Sequence, residues 1–264
     1  MISNNYIGTM GRLGNQMFQY SSLRGIANKF NYDYCIPPEN FENECPNSET
    51  NIFKVFNLPK IERKITDYID LCENNLGYDD NIWNNCPDNI NLKGFFQSEK
   101  YFIDIKENIK KAFTFKEEIL NTAKNIFNSI FYNEEVVAIH IRRGDYLYWT
   151  QFPIQPISYY EQALKLINNT DAKVLIFSDD IEWCKNQILF QNNKSFFAQY
   201  NSCSVDLCMM TFCNYHIISN SSFSWWGAWL SDSKMVISPK IWFSEPLVND
   251  ENFLMSNNPN WIKL

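Results

Sequence analysis

The sequence predicts an α/β protein in which parallel strands alternate with helices. Short apolar runs typical of buried strands, such as residues 136–141 and 174–177, are each followed by a stretch with helical spacing of apolar residues. Strands that alternate with helices favour a parallel sheet, which gathers ligand-binding groups at the carboxyl ends of its strands. The chain has 264 residues, enough for two domains of roughly 100–150 residues each. We expect the boundary between them near residue 130.

The N-terminal part predicts a strand, a glycine-containing loop, a helix and a second strand, which together open an α/β domain. An irregular region follows, and it predicts only loops and short elements before a helical region begins. The expected positions are a first apolar segment at 6–7, helical periodicity at 23–30, a strand at 32–36, loops over 38–95, the end of a strand at 94–98 and helix over 99–130.

The C-terminal part predicts a more regular alternation of strands and helices. Its apolar runs are short and continuous, as in strands that are buried on both faces. The expected strands are 136–141, 174–177, 216–218 and 235–237, and the expected helices are 158–168, 204–213 and 222–230.

The composition argues against partners that bind through broad charge attraction. A formal net charge of −7 disfavours nucleic acid and anionic membranes. The N-terminus lacks a signal-peptide pattern, and no apolar run approaches the ~20 residues that span a bilayer, so we expect a soluble, cytoplasmic protein. The eight cysteines include no CxxC pair. Reduced, mostly buried thiols are therefore favoured over a zinc site at Cys203, Cys208 and Cys213.

The most informative motif is the run HIRRGD at residues 140–145, at the end of a predicted buried strand. Arginine is almost never fully buried without a partner, and two adjacent guanidinium groups at a strand end suit phosphate oxygens. We therefore interpret Arg142 and Arg143 as an anion-binding pair. Two alternatives stay open: the arginines brace the loop by pairing with Asp145 and a Glu, and His140 is a satisfied structural histidine.

Two further loops carry weaker signals. Residues 11–18 (GRLGNQMF) contain glycines that let backbone approach a ligand, ahead of a helix N-terminus that favours an anion; the alternative is a tight turn between strand and helix. Residues 220–227 (NSSFSWWG) form a hydroxyl-rich turn whose Ser side chains and backbone N–H groups suit a phosphate. The alternative there is an ordinary N-cap at Ser222 or Ser224, followed by core tryptophans.

Two carboxylate features complete the set of candidates. The run Ser178-Asp179-Asp180 could contact a ribose or a base, although capping of the next helix is the favoured role. Asp206 lies near a predicted helix start, where the helix dipole favours an acidic residue in any case.

Together these loops resemble the α-1,2-fucosyltransferases of glycosyltransferase family 11. The matching segments span nearly the whole chain in the same order, and HxRRGD and SSFSWWGAWL are specific in combination. The segments are GRLGNQMFQYSSLRGIA (11–27), HIRRGDY (140–146), VLIFSDD (174–180), SNSSFSWWGAWL (219–230) and SPKIWF (238–243). One departure is Met10-Gly11-Arg12, where the family has a second glycine before GLGNQ. Residues 38–95 add nothing to the match.

The resemblance implies a GT-B-like α/β architecture of two Rossmann-type domains facing across a cleft. Residues 1–130 would form the acceptor-side domain, and residues 131–264 the domain that binds GDP-fucose. L-Fucose would pass from GDP-β-L-fucose to the 2-hydroxyl of a terminal β-galactoside on an oligosaccharide acceptor, with inversion. GDP-fucose is then a co-substrate, and no metal or other cofactor is expected. The oligomeric state stays open.

The resemblance also implies roles for individual residues. Arg142 and Arg143 would hold the β-phosphate. Asp145 is the nearest candidate base, unless it braces Arg143 or the departing phosphate takes the proton itself. His140 and Asp206 would hold the guanosine end, Ser221 and Ser222 would contact the pyrophosphate, and Asn15 would face the donor across the cleft. Gln16 and Asp179 are the remaining candidates for substrate binding.

Three other interpretations are compatible with these residues. One is fucosyl transfer in another linkage, α-1,3 or α-1,6. A second is a non-catalytic nucleotide- or glycan-binding protein of the same fold. The third is a structural α/β protein in which the arginine pair is merely braced.

Overall fold

The computed structural model describes residues 1–38, 51–59, 63, 66–74, 77–199, 201–244 and 261–264. The described residues form two compact units, one that ends at Lys116 and one that begins at Glu117. No helix within these ranges is both long and apolar enough to cross a membrane. The predicted loops over residues 39–50 lie outside the described residues.

The first unit alternates short strands with helices. Its elements are β1 (Ile2–Ser3), α1 (Leu13–Phe30), β2 (Tyr34–Cys35), α2 (Ile52–Val55), β3 (Ile69–Cys72), α3 (Asp80–Asn85), β4 (Ile90–Lys93) and α4 (Lys106–Ala112). The strands form a parallel sheet in the order β2-β1-β4-β3. Parallel strands joined through helices are the arrangement that the sequence predicted for this part of the chain.

Helix α1 supplies much of the core of this unit. The periodic residues Leu23 and Ile26 are fully buried, which confirms the predicted helix. Gly25 is required by close packing, because a Cβ there would lie 1.7 Å from the carbonyl oxygen of Tyr101. The helix ends at Asn31, which adopts the left-handed conformation with φ of 54°.

Three predicted positions in the N-terminal part are wrong. The first strand is β1 rather than residues 6–7, because Ile2 is the residue whose N–H bonds the carbonyl oxygen of Asp33, at 2.8 Å. Residues 94–98 follow β4 instead of ending it. The expected helix over 99–130 is interrupted after α4, where Phe115 forms an isolated bridge with Phe56.

The second unit is larger and more regular. Its elements are α5 (Glu117–Phe131), β5 (Val136–Ile141), α6 (Ile157–Ile167), β6 (Lys173–Ser178), α7 (Ile181–Lys185), β7 (Ser195–Phe197), α8 (Cys203–Met210), β8 (Tyr215–Ile217), α9 (Ser222–Leu230), β9 (Met235–Ser238) and β10 (Trp261–Lys263). All pairs of neighbouring strands are parallel, in the order β10-β9-β8-β5-β6-β7. The predicted strands and helices of this half are confirmed within a few residues, and α7 begins directly after the predicted cap at residues 178–180, whereas β7 and β10 were not predicted.

Helix α5 belongs to the second unit. It packs against α8, and the ring of Phe127 meets that of Phe212 edge-on with centroids 5.5 Å apart. The unit therefore begins before residue 130, where the sequence placed the boundary. The roles predicted for the two domains, acceptor side and donor side, stay predictions.

The centre of the second sheet explains why its strand signal is strong. Every residue of β5 is buried, so the strand reads as a continuous apolar run, and full burial of each Val or Ile side chain contributes roughly 1.5–3 kcal/mol relative to exposure. Ile141 is in register with Ser178 of β6, and Ile139 with Ile217 of β8. The loops that follow these three strands therefore leave the sheet at the same edge.

Candidate active site

The candidate site lies at a switch point in the connectivity of the second sheet. From β5 the chain proceeds to β6 and β7 on one side, and it then crosses to β8 on the other side of β5. Open parallel sheets bind ligands at such points, beyond the carboxyl ends of the strands. The loops after β5 and β8 are joined here, because Tyr146 Oη donates to the carbonyl oxygen of Asn220 at 3.0 Å.

Arg142 is held between two carboxylates. Its Nη1 lies 2.8 Å from Asp179 Oδ2, and its Nη2 pairs with Asp145 Oδ1. The guanidinium also lies 5.2 Å from the centroid of the Tyr146 ring. The sequence left open that the arginines brace the loop by pairing with Asp145 and a Glu. Arg142 does pair with Asp145, and its second partner is Asp179 instead of a Glu.

Arg143 is held in a different way. Its Nε donates to Asp180 Oδ2 at 3.0 Å, and the guanidinium lies 3.9 Å from the centroid of the Trp183 ring. Of its five N–H donors, the four on the terminal nitrogens have no partner among the described residues. A guanidinium fixed through Nε and open at its terminal nitrogens is preorganised for phosphate oxygens.

Asp179 connects the two arginines. Its Oδ1 accepts the backbone N–H of Arg143 at 2.9 Å, while its Oδ2 faces Arg142. Gly144 lies directly against this carboxylate, since a Cβ on Gly144 would be 2.4 Å from Asp179 Oδ2. The predicted contact of Asp179 with substrate stays a prediction; in the structure, Asp179 fixes the loop that carries the arginines.

His140 is buried at the end of β5. Its Nδ1 lies 2.7 Å from Ser219 Oγ in the loop after β8. Burial, and secondly the nearby charge of Arg142, lower the pKa of His140 to about 3, so the imidazole is neutral at physiological pH. The Nδ1 atom of His140 therefore has a hydrogen-bond partner, as expected for the structural histidine that the sequence left as an alternative. This bond connects the end of β5 to the loop after β8.

The N-terminus of α9 begins at the second of these loops. Ser221 is its N-cap residue, and its side chain makes no capping hydrogen bond. The alternative with Ser222 or Ser224 as the N-cap is wrong, because Ser224 lies inside the helix and its Oγ donates back to the carbonyl oxygen of Ser221 at 3.3 Å. A helix N-terminus without a side-chain cap favours an anion.

Asp206 lies in the first turn of α8. Its Oδ1 accepts a hydrogen bond from Asn201 Nδ2 at 3.1 Å. Burial raises the pKa of Asp206 to about 7, and the bond from Asn201 opposes this shift. Asp206 is therefore a carboxyl group whose charge changes near neutral pH.

The glycine loop of the first unit runs from residue 4 to residue 12, so it is longer than the tight turn considered as an alternative. Gly11 has a φ of 80°, and a Cβ there would lie 2.7 Å from Asn15 Cβ. Both constraints favour glycine at this position. Asn15 is partly exposed, and its Oδ1 accepts a hydrogen bond from Gln97 Nε2 at 2.6 Å.

Gln16 bonds the backbone of this loop. Its side chain is fully buried. Nε2 donates to the carbonyl oxygen of Gly11 at 2.9 Å, and Oε1 accepts the N–H of Ile52 at 2.9 Å. Because both ends of the amide bond to backbone, Gln16 fixes the shape of the loop. Its predicted contact with substrate stays a prediction.

Sequence comparison assigns the chain to a family. All 264 residues, 1–264, match the model described as Glycosyl transferase family 11. The chain belongs to glycosyl transferase family 11. A relative named alpha-1,2-colitosyltransferase, from Escherichia coli, is 30% identical over 90% of this chain and 92% of its own length. Galactoside 2-alpha-L-fucosyltransferase SEC1 of Bos taurus is 26% identical over 87% of this chain and 65% of its own length.

A solved structure shares the fold of this family 11 chain. NodZ alpha-1,6-fucosyltransferase, soaked with GDP-fucose, aligns with a TM-score of 0.58 and covers 89% of this chain and 93% of its own, at 12% sequence identity. At that identity the likeness concerns the fold alone. It confirms the predicted GT-B-like α/β fold class, as the family match confirms the resemblance to family 11.

Trp183 and Ser219 were not predicted as part of the site, and Asp180 was considered only for contact with a ribose or base or as a helix cap. Trp183 and Asp180 hold Arg143, and Ser219 holds His140. The predicted capping role is confirmed for Asp180, whose Oδ1 accepts the N–H of Trp183 at 3.2 Å. A signal was present in the order of the strands, since acidic residues at the end of the strand after β5 fall beside the arginines when the two strands pair in parallel.

Proposed function

We propose that this chain transfers L-fucose from GDP-β-L-fucose to the 2-hydroxyl of a terminal β-galactoside, with inversion and without a metal ion. The observation that carries the proposal is Arg143, which is fixed at the switch point with its terminal nitrogens open. Family membership supports glycosyl transfer. Relatives named for alpha-1,2 and 2-alpha transfer support the 2-linkage.

The reaction needs positive charge at the leaving group. The bond between C1 of fucose and an oxygen of the β-phosphate breaks, and its electron pair leaves with GDP while the sugar becomes oxocarbenium-like. A new bond then joins C1 to the acceptor oxygen. Arg142 and Arg143 would neutralise the growing charge on the β-phosphate, and the α9 N-terminus with Ser221 and Ser222 would add its dipole.

The proton of the acceptor hydroxyl has two possible destinations. Asp145 lies in the arginine loop and pairs with Arg142, so it can act as a base or as a brace. The departing phosphate is the other acceptor of the proton. Near-normal turnover of an Asp145→Asn variant would exclude the base role, and a large loss of kcat with an unchanged donor KM would support it.

The absence of a metal requirement is part of the proposal. Asp179 and Asp180, the adjacent carboxylates nearest to the arginines, already accept bonds from Arg142 and Arg143. The guanidinium groups can supply the charge that a cation would supply elsewhere. We expect full turnover in EDTA. Loss of activity that Mn²⁺ or Mg²⁺ restores would contradict this part of the proposal.

One observation favours a second donor. The relative that is 30% identical is named for colitosyl transfer. Colitose is fucose without its 3-hydroxyl group, so both donors would present the same GDP to the same arginines. The two proposals differ only in the sugar that the site admits.

A donor screen tests these proposals together. The protein is incubated with GDP-fucose, GDP-colitose or GDP-mannose and with lactose, and the product linkage is determined by NMR. An α-1,2-fucosylated product is expected. An α-1,3- or α-1,6-linked product would contradict the proposed 2-linkage. Preferential transfer of colitose would show that GDP-colitose, and not GDP-fucose, is the donor. GDP binding without any product would support the non-catalytic alternative, and failure to bind GDP would overturn the assignment of the arginine pair.

A further inference from the structure

Exposed aromatic side chains follow the arginine loop directly. Tyr148 is 83% exposed, Trp149 is 52% exposed, and Leu147 beside them is also exposed. Single exposed apolar residues are common on protein surfaces, but adjacent exposed rings beside a site indicate a binding surface. Other large rings of the unit, such as those of Trp225 and Trp226, are fully buried, whereas Tyr132 is exposed before β5.

The backbone that presents these rings is fixed to the arginine loop. The N–H of Leu147 bonds the carbonyl oxygen of Arg143 at 3.1 Å, and the N–H of Tyr148 bonds that of Asp145 at 3.0 Å. Tyr148 therefore lies one turn after Asp145, the residue proposed to act on the acceptor proton, and Trp149 follows Tyr148 directly.

The far side of the segment is anchored as well. The ring of Phe152 packs against Trp149, with centroids 5.9 Å apart, and against Phe243, with centroids 5.4 Å apart. The N–H of Phe152 bonds the carbonyl oxygen of Trp149 at 3.0 Å, and the N–H of Ser244 bonds that of Gln151 at 2.9 Å. The exposed rings are thus held on a packed support.

The chemistry of the segment selects an uncharged ligand. Between residues 144 and 153 (GDYLYWTQFP), Asp145 is the one ionisable group that is charged at neutral pH, and it is paired with Arg142. The segment therefore offers no cation for a phosphate or a nucleic acid. A pyranose ring fits such a surface, because it has a patch of C–H groups for a ring face and hydroxyl groups that stay in water.

We propose that Tyr148 and Trp149 form a stacking platform for the sugar ring of the neutral acceptor, a terminal galactopyranose. This inference rests on the proposed function, in which Arg142 and Arg143 take the charged donor. The platform then sets the acceptor ring beside Asp145, and it contributes to acceptor binding without contributing to donor binding.

The test uses Tyr148→Ala and Trp149→Ala, with Tyr132→Ala as the matched control. Tyr132 is 78% exposed and precedes β5, whereas the platform follows β5, so it sits at the opposite end of the same strand. We expect the acceptor KM to rise about 2- to 10-fold in each platform variant. The donor KM, and hydrolysis of GDP-fucose without acceptor, should stay at the values of the unaltered protein. Trp149→Phe should restore most of the acceptor affinity.

A second measurement separates this inference from the proposed function. Saturation-transfer NMR with lactose reports acceptor contact even if no transfer occurs. Loss of the lactose signal in Trp149→Ala, with the signal kept in Tyr132→Ala, supports the platform. An unchanged acceptor KM and an unchanged lactose signal in both platform variants would overturn it. So would a dimer of the unaltered protein that dissociates in these variants while lactose binding persists, because the rings would then cover a second copy of the chain.

Discussion

The loop before α1 and the loop after β5, both of which the sequence indicated as candidates, are stabilised by different interactions. In the first unit, the loop before α1 is held by an amide: Gln16 bonds the carbonyl oxygen of Gly11 and the N–H of Ile52. In the second unit, the loop after β5 is held by charge, since Arg142 and Arg143 pair with neighbouring carboxylates. The first loop is therefore fixed by a neutral side chain, and the second is fixed by ion pairs.

The difference shows what each loop can offer a ligand. The Gln16 amide is fully buried and bonds backbone at both of its ends, so it serves the shape of the loop. The arginine loop has three carboxylates around two guanidinium groups, so an incoming phosphate competes with them. Arg143 has open terminal nitrogens, whereas both terminal nitrogens of Arg142 already bond carboxylates. If the site binds a phosphate as proposed, Arg143 can meet it with terminal nitrogens that make no ion pair among the described residues, whereas those of Arg142 are shared with Asp179 and Asp145.

The largest expected effect tests this charge. Arg143→Ala should lower kcat/KM by about 10²–10⁴, on the scale of a group that stabilises an oxyanion, and Arg142→Ala should fall in the same range. Arg143→Lys should recover only part of the loss, because an ammonium group cannot fork onto two oxygens. Steady-state kinetics with the donor that the screen identifies measures the effect.

The matched control is an arginine of the first unit. Arg24 lies over the Tyr20 ring and its Nη1 donates to the carbonyl oxygen of Asn108 at 3.4 Å. Arg24→Ala should leave kcat/KM for the donor within about threefold of the value of the unaltered protein, because Arg24 is not part of the candidate site. If kcat/KM of Arg143→Ala were close to that of the unaltered protein, the arginine loop would have no special role in donor binding.

The next effect concerns the carboxylate that holds the loop. Asp179→Asn keeps the shape but loses the charge that faces Arg142, and it should lower kcat/KM about 10- to 100-fold, mainly through the donor KM, by loosening both arginines. The control is Asp171→Asn, an exposed residue before β6. If Asp179→Asn lost stability but kept its donor KM, Asp179 would serve the fold alone.

The sequence predicted the second unit better than the first for a physical reason. Strands β5, β6, β8 and β9 lie inside the sheet, and continuous apolar runs are typical of such strands. In the first unit β1 and β2 are two-residue strands, too short to produce a periodic pattern. The predicted first strand was misplaced for this reason.

The candidate site was predictable in its charges but not in their pairing. The run of residues 140–145 indicated an anion site, and the arginines do lie at a switch point. Which carboxylate faces which arginine depends on the register of β5 with β6, which places Ile141 beside Ser178. The buried position of Gln16 was not predicted, because its partner, the N–H of Ile52, is remote in sequence and carries no motif.

A smaller effect tests the amide-held loop. Gln16→Ala leaves the buried N–H of Ile52 without its partner, which costs about 1–3 kcal/mol of unfolding free energy. We expect a lower Tm with unchanged affinity for GDP, because the arginine loop lies in the other unit. Gln97→Ala is the matched amide, since it removes a bond to partly exposed Asn15, and it should cost less. A GDP affinity that fell with Gln16→Ala at unchanged Tm would support the predicted contact with substrate.

The last prediction compares two half-buried carboxyl groups, one in each unit. Burial raises the pKa of Glu73 to about 7, and the hydrogen bonds from the N–H groups of Phe96 and Phe95 oppose this shift. Burial also raises the pKa of Asp206 to about 7. If Asp206 accepts hydrogen bonds from guanine, donor binding requires its charged form. Affinity for GDP-fucose should then rise with pH until about 7 and level off above it, by up to tenfold per pH unit below.

The affinity rises with pH for the following reason. Binding favours the carboxylate, so the pKa of Asp206 is lower in the complex than in the free protein. Affinity is therefore lost only at pH values where Asp206 of the free protein is protonated. GDP-fucose is the ligand of choice because its esterified β-phosphate does not titrate in this range. Asp206→Asn should abolish the pH dependence, and Glu73→Gln should preserve it, because Glu73 bonds backbone in the first unit. Calorimetric titration between pH 5.5 and 8.5, a window set around the pKa of about 7, measures both. An unchanged profile in Asp206→Asn would place the guanine elsewhere and leave the arginine loop as the anchor of the donor.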